Sequence, residues 1–271
     1  MKDSVSVHFW GTRGSVPCFS GDKVRFGTNT SCMEVRWGHR ERIVFDAGTG
    51  IIALGNQLHK TDLLESGPLH LFLSHFHWDH IHGLPFFKPA YDRRTRMVIY
   101  GRGGVEKVFT GQLLAPFSPI PLEALAARIE YVQIGGVMEV EDARVEPFEV
   151  HHPQRCFGFV VEVRGRKIVY ATDTEPDGGR LDAQLQERAA GADLLVMDSN
   201  NSVEEASDRK GWGHSTWRDC VRVAKKAKVG QLVLYHNDPF HSDTVLQRKE
   251  RLAQKRFPEA TTAYDGLLLS L

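Results

Sequence analysis

The sequence predicts a single α/β (α+β) domain over residues 1–271. Three observations point there. Each half of the chain reads as strands followed by helices. No linker or low-complexity tract divides the halves. The chemistry-bearing side chains recur at the C-terminal ends of strands, at His75 to His80, His152, Asp173 and His236. A rigid sheet rim can hold such groups at set distances.

The bulk composition agrees. With 41% hydrophobic and 25% charged residues, the chain can bury a full core. Thirty-four basic residues balance thirty-four acidic ones, so no global field draws in nucleic acid, although a local basic patch is left open. No run of eighteen apolar residues suggests a membrane span. Met1-Lys2-Asp3-Ser4 lacks the apolar core of a signal peptide, so a cytoplasmic location is expected. Cys18, Cys32, Cys156 and Cys220 show no C-x-x-C spacing and read as reduced core thiols.

Taken in order, residues 5–10 alternate as a first strand. Gly11-Thr12-Arg13-Gly14-Ser15-Val16-Pro17 then breaks the pattern. A polar turn at 27–31 precedes a strand at 32–37. The strand at 42–45 ends in Asp46-Ala47-Gly48-Thr49-Gly50, whose glycines permit a tight turn into a helix at 51–60. An apolar strand at 69–73 follows. Residues 97–100 form a strand, and Gly101-Arg102-Gly103-Gly104 a turn into a helix. That turn lacks the Lys-Ser/Thr ending of a phosphate-binding loop. The proline-rich stretch 116–121 suits a lid or cleft edge. Residues 129–150 hold two or three strands, and 157–171 a hairpin around Arg164-Gly165-Arg166. A strand at 193–197 ends at Asp198. A helix at 216–228, a strand at 231–235, a polar helix at 242–256 and a final turn at Asp265-Gly266 complete the chain.

The densest chemistry is Ser74-His75-Phe76-His77-Trp78-Asp79-His80, directly after the 69–73 strand. Neutral imidazole nitrogens and a carboxylate suit zinc, iron or manganese. Crowding them beside a core strand would be costly if nothing bound them.

This H-x-H-x-D-H run resembles the signature of the metallo-β-lactamase fold. The resemblance implies a four-layer αββα sandwich of two mixed sheets. It also implies two divalent metal ions, zinc by preference, with manganese or iron permitted. On it, His75 and His77 match ligands of the first metal, and His152 of His151-His152-Pro153 completes that site, with His151 as a rival. Asp79 and His80 match the second metal, with His236 as its last ligand. Asp173 matches the carboxylate that bridges both. Asp46 matches a supporting acid rather than a ligand, and His82 stands outside the ligand pattern. The match runs from Gly11 to Pro239. In such a site a bridging water is acidified toward a pKa of about 7 and can attack phosphorus or carbonyl carbon.

Gly211-Trp212-Gly213-His214-Ser215-Thr216 resembles the H-S-T loop of ribonuclease Z and related phosphodiesterases. This makes His214 a catalytic candidate beside Asp79. Ser215 and Thr216 are substrate-binding candidates, or else one of them caps the helix. Arg13, in the loop that resembles the N-terminus of the phosphodiesterase branch, is a third substrate-binding candidate. The expected function is a dinuclear hydrolase of a small phosphodiester such as a cyclic nucleotide. Ribonuclease Z-like RNA processing is the runner-up, with a lactonase or thioesterase behind it. Only twenty residues separate His152 from Asp173, where that family usually inserts its tRNA-gripping arm. Nucleic acid is therefore allowed but not favoured as a partner, and a homodimer is left open.

Overall fold

The computed structural model describes residues 4–38, 40–61, 67–112 and 120–271. The predicted lid at 116–121 falls mostly outside them. Two seven-stranded mixed sheets lie face to face with helices outside, the four-layer sandwich that the resemblance implies.

The first sheet takes β1 (Val5–Gly11), β2 (Cys32–Trp37), β3 (Glu41–Phe45), β4 (Leu69–Phe72), β5 (Arg96–Gly101) and β6 (Arg128–Gln133) in spatial order, with β14 (Leu268–Ser270) on the far side of β1. β1 to β3 pair antiparallel and β3 to β6 parallel. α1 (Gly50–Lys60) and α2 (Val105–Gln112) cover its outer face, where Ile51, Leu54 and Leu58 pack against Val44, Leu71 and Ile99. The second sheet runs β7 (Met138–Val140), β8 (Ala143–Val150), β9 (Cys156–Val163), β10 (Arg166–Ala171), β11 (Leu194–Asp198), β12 (Gln231–Tyr235) and β13 (Ala260–Thr262). Its outer face carries α3 (Arg180–Ala189), α4 (Trp217–Ala227) and α5 (Asp243–Gln254).

Between the sheets the alternating residues of β1, Val5, Val7 and Phe9, meet Val161, Tyr170 and Tyr235. Phe45 of the first sheet packs on Phe159 and Tyr170 of the second, with ring centroids 5.2 and 5.4 Å apart. Such pairs add about 0.5–1.5 kcal/mol each beyond their buried area. The rigid floor this makes lies directly under the cluster, since the Tyr170 hydroxyl donates to Asp46 at 2.7 Å.

Two features depart from the sequence reading. α3 was not expected, although Leu181, Leu185 and Ala189 recur at four-residue intervals. The chain's last segment, expected as a plain closing turn, gives one short strand to each sheet. β13 joins β12, and β14 crosses back to β1.

Asp265, between those two strands, accepts hydrogen bonds from Thr28 N, Asn29 N and Asn29 Nδ2, each at 3.0 Å, and from Thr12 Oγ1 at 3.4 Å. Burial outweighs these bonds and pushes its carboxyl up to about 6. The ordinary value in an unfolded chain is about 3.9, so the folded state binds the extra proton between the two. Its contribution to stability is therefore full below about pH 4 and is lost as pH rises through about 6. Asparagine can keep the same bonds, its amide donating to Thr12. Asp265→Asn should gain on the wild type by roughly 2–3 kcal/mol as pH rises from about 4 to 7. Paired denaturant titrations would show it, and a gap that stays constant with pH would refute it.

Candidate metal centre

The cluster begins where β4 stops. Ser74 is locked to Asp46, its amide donating at 2.8 Å and its hydroxyl at 2.9 Å. Asp46 itself follows the end of β3 in a left-handed conformation, φ +60°. Asp173 and His236, just past β10 and β12, share that conformation at +52° and +56°. Left-handed backbone costs a non-glycine residue roughly 1–2 kcal/mol and concentrates at functional sites. Here it turns each side chain off its strand end toward one point.

Side chains from separated segments meet there. His77 Nδ1 and His152 Nε2 are 3.2 Å apart. His80 Nε2 and His236 Nε2 are likewise 3.2 Å apart, and Asp79 Oδ2 lies 3.0 Å from His236 Nε2. Asp173 stands between the two groups. Its Oδ1 faces His75 Nε2 at 3.9 Å and His152 Nε2 at 4.0 Å. Its Oδ2 faces His80 Nε2 at 3.2 Å and His236 Nε2 at 3.3 Å. One carboxylate thus presents one oxygen to each histidine group.

The donor set fits two divalent cations. His75, His77 and His152 can hold one ion together, and Asp79, His80 and His236 another. The buried His75 Nε2 has no hydrogen-bond partner, an arrangement that a ligand would satisfy. The ring orientations are fixed from behind. His80 Nδ1–H donates to Asp46 at 2.8 Å, and His152 Nδ1–H donates to the Gly213 carbonyl at 3.1 Å, so each turns Nε2 inward. The Ser15 amide donates to Asp79 Oδ2 at 2.7 Å.

Protonation matches. Burial, with the neighbouring imidazoles, lowers His75, His77 and His152, keeping them neutral with lone pairs available. Burial alone would raise Asp79 and Asp173, but His80 and His236 outweigh it and hold both carboxyls well below the usual range. His80 is pulled the other way. Burial opposes its charge, yet Asp79, Asp173 and Asp46 hold it well above its ordinary value. That proton is the one a cation would displace.

His214 stands at the edge of the cluster. Its ring stacks on His236 with centroids 5.3 Å apart, and its Nδ1–H donates to Asp198 Oδ2 at 2.7 Å. Burial lowers its pKa, but the Asp198 charge and hydrogen bond, with Asp173 and Asp79, outweigh it and push it up to about 9. Cations in the cluster would offset Asp173 and Asp79, leaving Asp198 as its support.

The substrate-binding expectations for Arg13, Ser215 and Thr216 need correction. Arg13 is 1% exposed and does not face a substrate. Its guanidinium donates inward to the carbonyls of Gly27, Asp238 and His241 at 2.8–2.9 Å, tying three loops together. Ser215 is fully buried, and its hydroxyl donates to the Thr174 carbonyl. Thr216 is the N-cap of α4 in a reciprocal capping box with Asp219. Neither hydroxyl is free for a substrate. Of the two histidine neighbours, His152 joins the cluster, while His151 Nδ1–H donates away from it to the Glu175 carbonyl at 2.8 Å. His82, outside the cluster, lies 3.2 Å from Thr30 Oγ1. Asp198, which supports His214, is not among the site residues that the sequence marks. The available signal was its place at the end of an apolar strand, the same that marked Asp46 and Asp173.

A family model described as the beta-lactamase superfamily domain matches residues 41–237. A ribonuclease Z of Lacticaseibacillus casei is 28% identical, the match covering 96% of this chain and 93% of that protein. Among solved structures, the metallo-beta-lactamase fold protein YhfI of Bacillus subtilis superposes with a TM-score of 0.74 at 19% identity, covering both chains entirely. A diphosphatase of the PhnP family superposes at 0.71 and 18% identity, covering 99% of this chain and 97% of that one. With a sandwich of two mixed sheets, a histidine–aspartate cluster on its rim and a family match over most of its length, this chain belongs to the beta-lactamase superfamily of metallo-hydrolase folds.

Proposed function

We propose that the chain is a metal-dependent phosphodiesterase acting on a small phosphodiester such as a cyclic nucleotide. His75, His77 and His152 would hold one divalent ion, Asp79, His80 and His236 a second, and Asp173 would bridge them. Zinc suits these ligands best, with manganese or iron compatible. Bound there, the ions supply Lewis acidity and an activated water. The observation that carries the choice of substrate is His214, half-buried at the cluster's edge and bonded to Asp198, which favours its charged form. A phosphodiester needs a proton for its departing oxygen and a donor for the charge gathering on phosphorus oxygens. A protonated His214 provides either. Asp46 acts behind it all, keeping His80 in the tautomer that presents Nε2.

A second reading, RNA 3′ processing, is favoured by the relatives named ribonuclease Z. Against it stands length. The alignment with the Lacticaseibacillus casei protein runs over 309 positions, more than the 271 residues here, so that relative carries insertions this chain lacks. Between His152 and Asp173 the chain spends its residues on the β9–β10 hairpin.

A substrate panel on protein of measured metal content decides between them. It would include cyclic nucleotides, a linear diester, precursor tRNA, a lactone and a thioester. We expect turnover of the small phosphodiesters and no tight tRNA binding. Salt-sensitive tRNA binding with 3′ trimming would establish the second reading instead, and turnover of the lactone or thioester alone would remove both.

A further inference from the structure

Five tryptophans occur in the chain. Trp10, Trp37 and Trp217 are buried in the cores, as their size demands. The other two, Trp78 and Trp212, are 79% and 60% exposed. Neither contributes to a core, and both lie in loops that build the cluster.

Their placement is specific. Trp78 sits between His77 and Asp79, whose side chains turn inward while its own turns out. Trp212 precedes Gly213, whose carbonyl accepts from His152 Nδ1–H. His152 in turn meets His77 at 3.2 Å. Trp78 is thus the chain neighbour of His77, and Trp212 the chain neighbour of the glycine that orients His152, the two histidines that meet in the cluster.

The Trp212 turn is also held in place. Both oxygens of Glu175 accept from the Gly211 amide at 2.9 Å, and one accepts from the Gly213 amide at 2.8 Å. Gly213, at φ +87°, lies so close to His152 that a Cβ there would fall 2.1 Å from Nδ1. Arg209 lies over the indole, 5.7 Å from its centroid, and is anchored to Glu205 and Asp238. An exposed aromatic ring fixed at a hydrolytic centre, backed by a guanidinium, is a surface on which another ring stacks.

We propose that Trp78 and Trp212 form an aromatic lip that receives the nucleobase of a nucleoside phosphodiester. This rests on the phosphodiesterase reading and narrows it. Every base offers a π-face, so the lip selects for the presence of a base and not for its identity. Both residues are positioning groups: they hold the substrate while the cluster acts on its phosphate.

The experiment compares a cyclic nucleotide with the same sugar cyclic phosphate lacking its base. Metal-loaded wild type, Trp78→Ala, Trp212→Ala and the two Trp→Phe variants are assayed. In each alanine variant KM for the nucleotide should rise roughly ten-fold with kcat little changed. KM for the base-free diester should stay put, and the phenylalanine variants should retain most of the affinity. An unchanged ratio of the two KM values in both alanine variants overturns the lip. If the wild type turns over neither diester, the phosphodiesterase reading fails by itself. Calorimetry then judges the lip alone. Adenosine monophosphate should bind more tightly than ribose 5-phosphate, and the alanine substitutions should erase the difference. Equal binding of the two ligands to wild type overturns it.

Discussion

Asp173→Ala is expected to lose bound metal and turnover together. Two divalent cations about 3.5–4 Å apart repel strongly, and a carboxylate between them is the group that makes the pair tolerable. Asp173 has oxygens facing both histidine groups, 3.9–4.0 Å on one side and 3.2–3.3 Å on the other. Without it the second cation has only Asp79 as a close anionic ligand. Metal per chain should fall from about two to one or fewer, and the rate by several orders of magnitude, because the water and the developing charge lose the second cation. Alanine is also strained at φ +52°, so Asp173→Asn is the better-controlled variant. Asparagine tolerates the left-handed region, keeps the shape and removes only the charge. Elemental analysis of both proteins beside their rates gives the answer. Full occupancy with retained activity would show that Asp173 does not bridge.

His214→Ala should separate what Asp173→Ala joins. His214 lies beside the cluster and is bonded to Asp198, so metal content should stay at the wild-type level. Hydrolysis of bis(p-nitrophenyl) phosphate should slow by about 10²–10⁴-fold, the usual worth of a positioned proton donor. The pH profile carries a second test. A donor works while protonated, so on the alkaline side the rate should fall as pH rises through the His214 pKa. Asp198 holds that pKa up, against burial. Asp198→Asn should therefore move the alkaline fall to lower pH, toward the ordinary imidazole value of about 6.5. An unaltered rate in His214→Ala would make the ring structural. An unaltered profile in Asp198→Asn would mean that another group sets the limb.

Much of the fold was legible because its signals are local. Alternation in β1 and the apolar runs of β4, β11 and β12 follow from side-chain period and burial, which neighbouring residues encode. The H-x-H-x-D-H run was legible for the same reason, since four polar groups crowd one strand end. α3 escaped notice because only Leu181, Leu185 and Ala189 mark its inner side among charged and amide residues.

Sequence by itself determined the two-sheet architecture, the early histidine cluster and the kinds of residue that complete it from afar. Tertiary structure alone decided which way those side chains point. It turned Arg13 into the loops, set Thr216 to capping α4, took His152 over His151 and put Asp198 behind His214. It also sent β13 and β14 to opposite sheets. The physical reason is range. Strand and helix patterns are set by neighbours along the chain, whereas a loop side chain takes its direction from hydrogen-bond partners far along it, as Arg13 does from His241, 228 residues away.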